Sequence, residues 1–253
     1  MAHGAAIIMA AGKGTRMKDP TRAKVMYEIA GRPMIHYVVD LAFDLNLERV
    51  LVIVGHQRES VTSYLAGTHP RAECVTQAEQ LGTGHAVMQA KRSLEGFRGS
   101  VVVLSGDVPL LTRGTMDGLM EHHKSTGASA TILTVDMPDP TGYGRILRNA
   151  DGSVRRIVEQ KDASPAELKT TEINSGIYVF DKESLFDGLE HIDTLNVQHE
   201  YYLTDVFEYY WKRRLKVSAL RAKQADEVRG INTFEQLEEA RKAMETRHAH
   251  GLL

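Results

Sequence analysis

The chain of 253 residues has one cysteine, Cys74, and no large excess of either charge. A single thiol excludes internal disulfides and zinc sites built from several cysteines, and it favours a reducing compartment. Its 31 Lys and Arg residues stand against 33 Asp and Glu residues, a formal net charge of −2. Such a chain has no broad electrostatic surface for nucleic acid or an anionic membrane. Any phosphate must therefore be bound by a few local cations and backbone amides.

Long apolar runs are also absent. The longest run near the start, Ala5–Ala11, is far shorter than the roughly 20 residues of a membrane span. No cationic segment precedes it and a glycine-rich loop follows it, so a secretion signal is not indicated. With 42% hydrophobic and 25% charged residues, the composition is that of a globular domain. We therefore expect a soluble, cytoplasmic protein that binds neither membrane nor nucleic acid.

The first half of the chain alternates apolar strands with helices, and no internal repeat or low-complexity linker interrupts it. The predicted strands are Ala5–Ala11, Arg49–Val54, Ser100–Leu104 and Ala128–Val135. The predicted helices are Met34–Leu47, Glu59–Leu65, Thr83–Leu94 and Thr115–Ser125. This order predicts an α/β fold with a mostly parallel sheet and helices on both faces.

The second half is more mixed. Gly144–Ile157 alternates polar and apolar residues around Asn149–Gly152, which is typical of a hairpin. The other predicted elements are strands Ile173–Phe180 and Leu215–Leu220 and helices Leu203–Trp211 and Thr233–Thr246. We predict one domain over residues 1–253. It has a nucleotide-binding lobe over about 1–137, a second lobe over about 138–232 and a C-terminal helix over 233–253.

A glycine loop, GKGTRM, follows the first predicted strand directly. Ligands of open α/β sheets bind outside the carboxyl ends of the strands, and glycines let backbone amides approach phosphate closely. The loop lacks the spacing of a P-loop, and Met17 stands where a dinucleotide-binding loop has its third glycine. By itself the loop is equally compatible with a tight turn carrying a solvated arginine.

The string QAEQLGTGHA, at the start of the third predicted helix, carries a second candidate site. Glutamine offers a donor and an acceptor together, so Gln77 and Gln80 suit the edge of a base. Gly82 permits close backbone approach, and Thr83 can cap the helix. These residues favour a capped helix start, with base recognition as the alternative, and they favour a structural role for His85.

Further acids and amides stand where they can serve a site. Asp107 follows the buried strand Ser100–Leu104, at an edge where a hard cation can bridge protein and phosphate. A turn or an N-cap is its alternative role. On its own, Glu159 would be a surface acid, and Asn232 would be the N-cap of the last helix. Thr204 is expected to cap the predicted helix Leu203–Trp211.

At least six strings in order, among them MAAGKGTRM, QAEQLGTGHA, SGDVPL, TGYGRI, EINSGI and EYYLTD, resemble the sugar-phosphate nucleotidylyltransferases. The Ala-Ala-Gly of the first string is most similar to the N-acetylglucosamine-1-phosphate uridylyltransferases. The resemblance extends from Ala5 to about Leu237. It implies a Rossmann-like, mostly parallel mixed sheet of the nucleotide-diphospho-sugar transferase type, in which residues 138–232 form a smaller, sugar-binding lobe.

The resemblance also implies roles for particular residues. Nucleotide contacts fall on Met9, Ala10, Ala11, Gly12, Gly14, Lys24, Gln77, Gln80, Gly82 and Thr83. Sugar contacts fall on Ser105, Gly106, Gly144, Glu159 and Asn174. The catalytic residues implied are Arg16, Lys24 and Asp107, and the implied Mg²⁺ ligands are Asp107 and Asn232. Two positions depart from the family pattern: Ala23 replaces a proline, and Ser105 replaces an aromatic residue of some relatives.

The implied reaction transfers a uridylyl group from UTP to N-acetylglucosamine 1-phosphate, releasing pyrophosphate, with Mg²⁺ as the cofactor. One alternative is a related nucleotidylyltransferase for glucose 1-phosphate with UTP or dTTP. Another is a non-catalytic regulatory subunit of the same fold, and a dinucleotide-dependent oxidoreductase is disfavoured by the missing third glycine. The sequence lacks the hexapeptide repeats of bifunctional family members. We therefore expect no acetyltransferase domain and, since family trimerisation rests largely on that domain, a monomer.

Overall fold

The computed structural model describes residues 4–14, 17, 19 and 21–249. Its strands, in chain order, are β1 (Gly4–Ala10), β2 (Glu28–Ile29), β3 (Arg32–Pro33), β4 (Arg49–Val54), β5 (Glu73–Thr76), β6 (Ser100–Ser105), β7 (Ala130–Asp136), β8 (Gly144–Arg148), β9 (Val154–Val158), β10 (Glu172–Asp181) and β11 (Val217–Arg221). Its helices are α1 (Met34–Asp44), α2 (Arg58–Thr68), α3 (Thr83–Met88), α4 (Arg113–Thr126), α5 (Lys182–Leu189), α6 (Asp205–Lys212) and α7 (Phe234–Ala249). Short 3₁₀ turns lie at Lys24–Met26, Glu167–Lys169 and Ala225–Val228.

Seven strands form the body of one sheet, in the order β11-β7-β10-β6-β1-β4-β5. Strands β6, β1, β4 and β5 are parallel neighbours, and β11 runs parallel to β7. Strand β10 is antiparallel to both of its neighbours, β6 and β7. The β8–β9 hairpin extends the sheet from the first residues of β10. The predicted mostly parallel sheet is confirmed for the seven-strand body, in which β10 is the antiparallel member, and the hairpin adds antiparallel pairs at its side.

Two helix layers cover this sheet, as the continuous apolar strands predict. Ala6 and Ile8 of β1 contact a cluster that contains residues of α1, α2 and α4. Ala5 and Ile7 point to the opposite face, into a cluster that contains residues of α3, α5 and α6. All four side chains are fully buried. Helix α7 packs elsewhere, against a third cluster that includes Ile29 of the β2–β3 hairpin.

Some local predictions were wrong. The helix predicted over Thr83–Leu94 ends at Met88 and continues as turns. Strand β5 was missed because it lies at the sheet edge and is only half-buried, so its four residues carry no apolar run. Helix α5 was missed too, although Asp181 caps it by accepting from the Ser184 N–H at 3.0 Å.

The topology brings several chain segments to one edge of the sheet. Parallel strands β1, β4 and β6 all end there, and antiparallel β10 begins there. The Met9 carbonyl accepts from the Gly106 N–H at 2.9 Å, which joins the loops after β1 and β6. Within the described residues, no helix is both long and apolar enough to cross a bilayer.

Candidate active site

A cleft of about 420 Å³ opens at this edge of the sheet. Its lining includes all ten residues predicted to contact nucleotide: Met9, Ala10, Ala11, Gly12, Gly14, Lys24, Gln77, Gln80, Gly82 and Thr83. Ser105 and Asp107 line it as well. These residues come from four separate chain segments, which together form one concave surface of a size suited to a small-molecule ligand.

The glycine loop forms one wall of the cleft. Gly14 has a φ of +59°, and a Cβ there would lie 2.8 Å from the Cβ of Lys24, so glycine is required on both counts. Met17, where a dinucleotide-binding loop has glycine, is 1% exposed and packs with Tyr27. The loop is thus anchored in the core just beyond its turn. The predicted catalytic residue Arg16 lies outside the described residues.

Lys24 stands on the short 3₁₀ turn that begins after Ala23. The φ of Ala23 is −61°, which is the value a proline ring would impose. Ala23 is also 1% exposed, so its methyl group fills a place in the core. The replacement of proline therefore leaves the chain in the conformation that proline would fix, and Lys24 still reaches the cleft.

The glutamine segment forms the opposite wall and is rigidly held. Gln77 is 3% exposed, and its Nε2 donates to the Gly82 carbonyl at 3.2 Å and contacts His85 Nδ1 at 3.0 Å. Gln80 Nε2 donates to the Gln77 carbonyl at 3.1 Å. The other ring nitrogen of His85 lies 3.1 Å from Gln89 Nε2, so both nitrogens are engaged and His85 is a structural residue.

Residues of the string EYYLTD pack against this wall and hold it in place, a role that the sequence did not reveal. Gly82 has a φ of +111°, and a Cβ there would lie 2.5 Å from the Tyr201 carbonyl oxygen. Thr83 does not cap its helix, because its hydroxyl accepts from the Leu203 N–H at 3.0 Å and no side chain caps α3. Glu200 completes the lining of the cleft beside Gly82. Any substitution at Gly82 would push the two segments apart.

Lys24 and Asp107, which line the cleft, meet Asn232 just outside its lining. Lys24 Nζ donates to Asp107 Oδ2 and, at 3.0 Å, to Asn232 Oδ1. The second carboxylate oxygen, Asp107 Oδ1, accepts from Ser105 Oγ at 2.7 Å. Burial alone would raise the pKa of Asp107, but the charge and hydrogen bond of Lys24 and the Ser105 hydroxyl outweigh burial and lower it. Asp107 is therefore ionised at neutral pH.

The donor set suits a hard divalent cation. Asp107 Oδ2 and Asn232 Oδ1 already contact one positive charge, the Lys24 ammonium, so the two oxygens converge on a point that a cation can occupy. A carboxylate and an amide oxygen are ligands that Mg²⁺ accepts. A Cβ on Gly230 would lie 3.4 Å from Asp107 Oδ2, so the absence of a side chain there keeps the carboxylate accessible.

Asn232 is not the N-cap of the last helix, which was its alternative role. Thr233 and Gln236 form a reciprocal capping box: Thr233 Oγ1 accepts from the Gln236 N–H at 3.3 Å, and Gln236 Oε1 accepts from the Thr233 N–H at 3.2 Å. Gln236 Oε1 also accepts from the Asn232 N–H at 2.7 Å. The cap thus fixes the backbone of Asn232, whose side chain points to Lys24.

The predicted sugar residues Gly144, Glu159 and Asn174 form a second group. Gly144 pairs with Asn174 across β8 and β10, and a Cβ on Gly144 would lie 3.4 Å from Glu159 Oε2. Asn174 is 8% exposed, and its Nδ2 donates to the Tyr178 hydroxyl at 2.7 Å. These three residues do not line the nucleotide cleft. Its nearest sugar candidates are Ser105, in its lining, and Gly106, the next residue.

Glu159 faces a neighbouring acidic cavity of about 350 Å³, together with Asp162 and Asp205. Burial raises the pKa of Glu159, and the Asp162 charge adds to the rise, although the Thr204 hydroxyl opposes it. That hydroxyl donates to Glu159 Oε1 at 3.0 Å, so Thr204 positions the acid and does not cap α6 as predicted. Thr204 thus contacts a predicted sugar residue, and its position at a helix start concealed this contact.

Similarity to known proteins shows which family the chain belongs to. The family described as nucleotidyl transferase matches residues 5–242. Bifunctional protein GlmU of Enterococcus faecalis is 48% identical over 96% of this chain, and that of Pelobacter propionicus is 46% identical over 100%. The chain spans about half of these relatives, 52% and 55% of their respective lengths.

A solved structure of similar fold is UDP-glucose pyrophosphorylase complexed with UDP-glucose. Its TM-score is 0.78, and the match covers 98% of this chain and all of that one. At 19% sequence identity this likeness supports the fold, an α/β sheet of the nucleotide-diphospho-sugar transferase type, and nothing finer. On the sequence match over residues 5–242, the chain belongs to the nucleotidyl transferase family.

Proposed function

We propose that this chain transfers a uridylyl group from UTP to N-acetylglucosamine 1-phosphate and releases pyrophosphate. The observation that carries the proposal is the meeting of Lys24, Asp107 and Asn232 beside a cleft that Lys24 and Asp107 line together with the glycine loop and the glutamine segment. Residues from three distant parts of the sequence converge where phosphoryl transfer requires cationic and metal-binding groups.

No protein nucleophile is needed for this reaction. An oxygen of the sugar phosphate forms a bond to the α-phosphorus of UTP in line with the bond to the β-phosphate oxygen, which breaks as pyrophosphate leaves. The chain therefore acts by positioning the two substrates and by neutralising charge. We assign the leaving phosphates to Lys24 and Arg16, whose ammonium and guanidinium groups suit phosphate oxygens.

Asp107 and Asn232 are the proposed Mg²⁺ ligands. When bound, the ion would offset negative charge on the phosphates of both substrates. Lys24 must leave Asp107 and Asn232 for this to occur, and the same movement directs its ammonium toward the cleft, which it already lines. Ser105 keeps its hydrogen bond to Asp107 Oδ1, and so holds the carboxylate in place while Oδ2 is released.

The uracil ring is assigned to the glutamine wall. Gln77 is locked by its contacts with Gly82 and His85, and it thereby fixes the backbone that presents Gly82 and Thr83 to the cleft. Groups that are already ordered lose little entropy on binding, which favours discrimination between bases. Gln80, held by the Gln77 carbonyl, stands beside them.

The sugar is assigned to Gly144, Glu159 and Asn174, with Ser105 and Gly106 between them and the nucleotide. This corresponds to a nucleotide-binding lobe over residues 1–137 and a sugar-binding lobe over 138–232. Asn174 and Glu159 are oriented by Tyr178 and Thr204 respectively, so each polar group can be aimed at a substituent of the sugar. The use of a single cysteine, Cys74, favours a reducing and therefore a cytoplasmic setting.

The experiment is pyrophosphate release from UTP with N-acetylglucosamine 1-phosphate or glucose 1-phosphate, with and without Mg²⁺. We expect at least a tenfold preference in kcat/KM for the acetamido sugar, because a missing substituent leaves site groups unpaired at about 1–3 kcal/mol each. Asn174→Ala should narrow the preference and leave the KM for UTP unchanged.

The matched control is Asn149→Ala, which removes the same amide from the exposed turn of the β8–β9 hairpin. Its sugar preference should equal that of the wild type. Equal use of both sugars by the wild type would favour the glucose alternative. Absence of pyrophosphate release with every triphosphate and sugar phosphate would favour the regulatory-subunit alternative, against which the retained Lys24 and Asp107 argue.

A further inference from the structure

His36, Asp40 and His69 form a cluster outside the cleft. His36 and Asp40 lie one turn apart on α1, and His69 follows the last residue of α2. Among the residues that the structure describes, this is the one group of three His, Cys, Asp or Glu side chains whose ligand atoms all lie within 4.8 Å of one another. The side chains of His36 and His69 are 12% and 6% exposed, whereas that of Asp40 is 47% exposed.

Both imidazoles direct the same nitrogen at the carboxylate. His36 Nε2 lies 3.1 Å from Asp40 Oδ2, and His69 Nε2 lies 2.8 Å from Asp40 Oδ1. The other nitrogen of each ring faces a hydroxyl: His36 Nδ1 is 3.0 Å from Tyr64 OH, and His69 Nδ1 is 2.8 Å from Thr68 Oγ1. For His36, an Nδ1 hydrogen donated to Tyr64 OH leaves the Nε2 lone pair free, which is the tautomer of a metal-ligating histidine. His69 Nε2 donates a hydrogen to Asp40 Oδ1, which can only accept, so a metal ion bound there would replace that hydrogen.

Arg32 shows that the lone pair of His36 is available. Its Nη1 lies 2.7 Å from His36 Nε2, and arginine can only donate, so this contact requires an unprotonated nitrogen. The same nitrogen then cannot donate to Asp40, which leaves a lone pair and a carboxylate facing each other at 3.1 Å. One nitrogen cannot satisfy both neighbours. A cation between the three groups can, and Arg32 is exposed and able to move away.

We propose that His36, Asp40 and His69 bind one divalent transition-metal ion of the zinc class. Bonds of about 2.0–2.1 Å in a tetrahedron place ligand atoms about 3.3 Å apart. The two imidazole–carboxylate separations, 3.1 and 2.8 Å to the two oxygens of Asp40, are near this value, and all ligand atoms of the cluster lie within 4.8 Å of one another. Two imidazoles and one carboxylate favour Zn²⁺ over Mg²⁺, whereas the oxygen ligands Asp107 and Asn232 favour Mg²⁺. The half-exposed Asp40 side gives the entry path and a fourth, water-filled position. The bound ion would join α1 to the end of α2.

The test is calorimetric titration of the chelator-treated full chain with Zn²⁺, at millimolar Mg²⁺ to fill the proposed catalytic site. His3, His248 and His250 lie near the ends of the sequence and could bind Zn²⁺ on their own. All variants are therefore made in a background that carries His3→Ala, His248→Ala and His250→Ala. We expect one Zn²⁺ per chain. His69→Ala should weaken binding at least tenfold, and Arg32→Ala should tighten it several-fold, because it removes the competing cation.

Further variants separate loss of the site from loss of the fold. Asp40→Asn removes a half-exposed charge without changing the shape of the side chain, and it should also weaken Zn²⁺ binding at least tenfold. Its thermal unfolding midpoint in Zn²⁺-free buffer should stay within a few degrees of that of the background. His191→Ala, which removes an exposed histidine elsewhere, should leave the affinity unchanged. Equal Zn²⁺ affinity in the background, His69→Ala and Asp40→Asn would overturn the proposal, as would no Zn²⁺ binding by the background.

Discussion

The ammonium of Lys24 lies between the two proposed Mg²⁺ ligands, so Lys24 and the metal compete for them. Lys24→Met keeps most of the side-chain length and removes the charge. We expect the variant to bind Mg²⁺ more tightly than the wild type and yet to turn over more slowly. Tighter metal binding with slower catalysis is an unusual combination, because most changes near a metal site weaken both.

The magnitude follows from the burial of the pair. The side chains of Lys24 and Asp107 are 15% and 13% exposed, and unit charges about 4 Å apart attract by about 4 kcal/mol at an effective dielectric of about 20. Desolvation offsets much of this, which leaves about 1–2 kcal/mol for the metal to displace. Removing that cost should tighten apparent Mg²⁺ binding about 5- to 30-fold. Loss of a cation from the phosphates should lower kcat by about 10²–10³-fold.

The assay combines Mg²⁺ dependence of the initial rate, at saturating UTP and sugar phosphate, with direct calorimetric Mg²⁺ titration. Lys91→Met is the matched control, because Lys91 pairs with Glu190 on the surface, where their side chains are 57% and 58% exposed. The control should change neither quantity. An unchanged or weaker Mg²⁺ affinity in Lys24→Met would refute the competition, whatever happens to kcat.

Three further predictions concern single side chains. Asp107→Asn should retain the fold and lower turnover about a hundredfold or more, measured as pyrophosphate release at low Mg²⁺, where near-normal activity would remove Asp107 from the metal site. Arg16→Ala should cost about 2–4 kcal/mol of transition-state stabilisation in kcat/KM without changing the preference for UTP over CTP, and a changed preference would mean that Arg16 contacts the base. Burial, aided by Glu159, raises the pKa of Asp205 to about 6 from 3.8, so the unfolded chain releases this proton at lower pH than the folded one. The free energy of unfolding should therefore fall as pH rises from about 4 to about 6, by about 1–2 kcal/mol once solvent screening is taken into account. Urea titrations at pH 4.5 and 7.5 measure this fall in the wild type, and Asp205→Asn should remove it.

The sequence predicted best those elements whose local pattern and final environment agree. Strand β4 was predicted at its observed bounds, because a run of apolar residues is what a strand covered on both faces requires. Strand β5 lies at the edge, and its burial depends on neighbours that no local pattern describes. The end of helix α3 was predicted too late, because the apolar periodicity on which the prediction rested continues through the turns after Met88.

The candidate site was also predictable in part. Its candidate residues were identified by the sequence strings that resemble the family, and the glycines also by the backbone conformations that loops require. Their contacts could not be found: Lys24 is separated by 83 residues from Asp107 and by 208 from Asn232. Thr83 and Thr204 precede or begin helices, so local rules predicted caps. Their hydroxyls instead bond Leu203 and Glu159, which lie far away in the chain.

The position of β10 has a consequence for how the chain assembles. Strands β6 and β7 are never neighbours, because β10 lies between them and pairs with both. Until residue 181 has been synthesised, the growing chain therefore carries one unpaired edge on β6 and two on β7, whose other neighbour β11 also comes later, and such edges are surfaces on which chains associate wrongly. Folding of the sheet has to wait for a strand from the second half of the chain. The first 137 residues, although they hold the glycine loop and Asp107, are therefore not expected to fold as an independent unit.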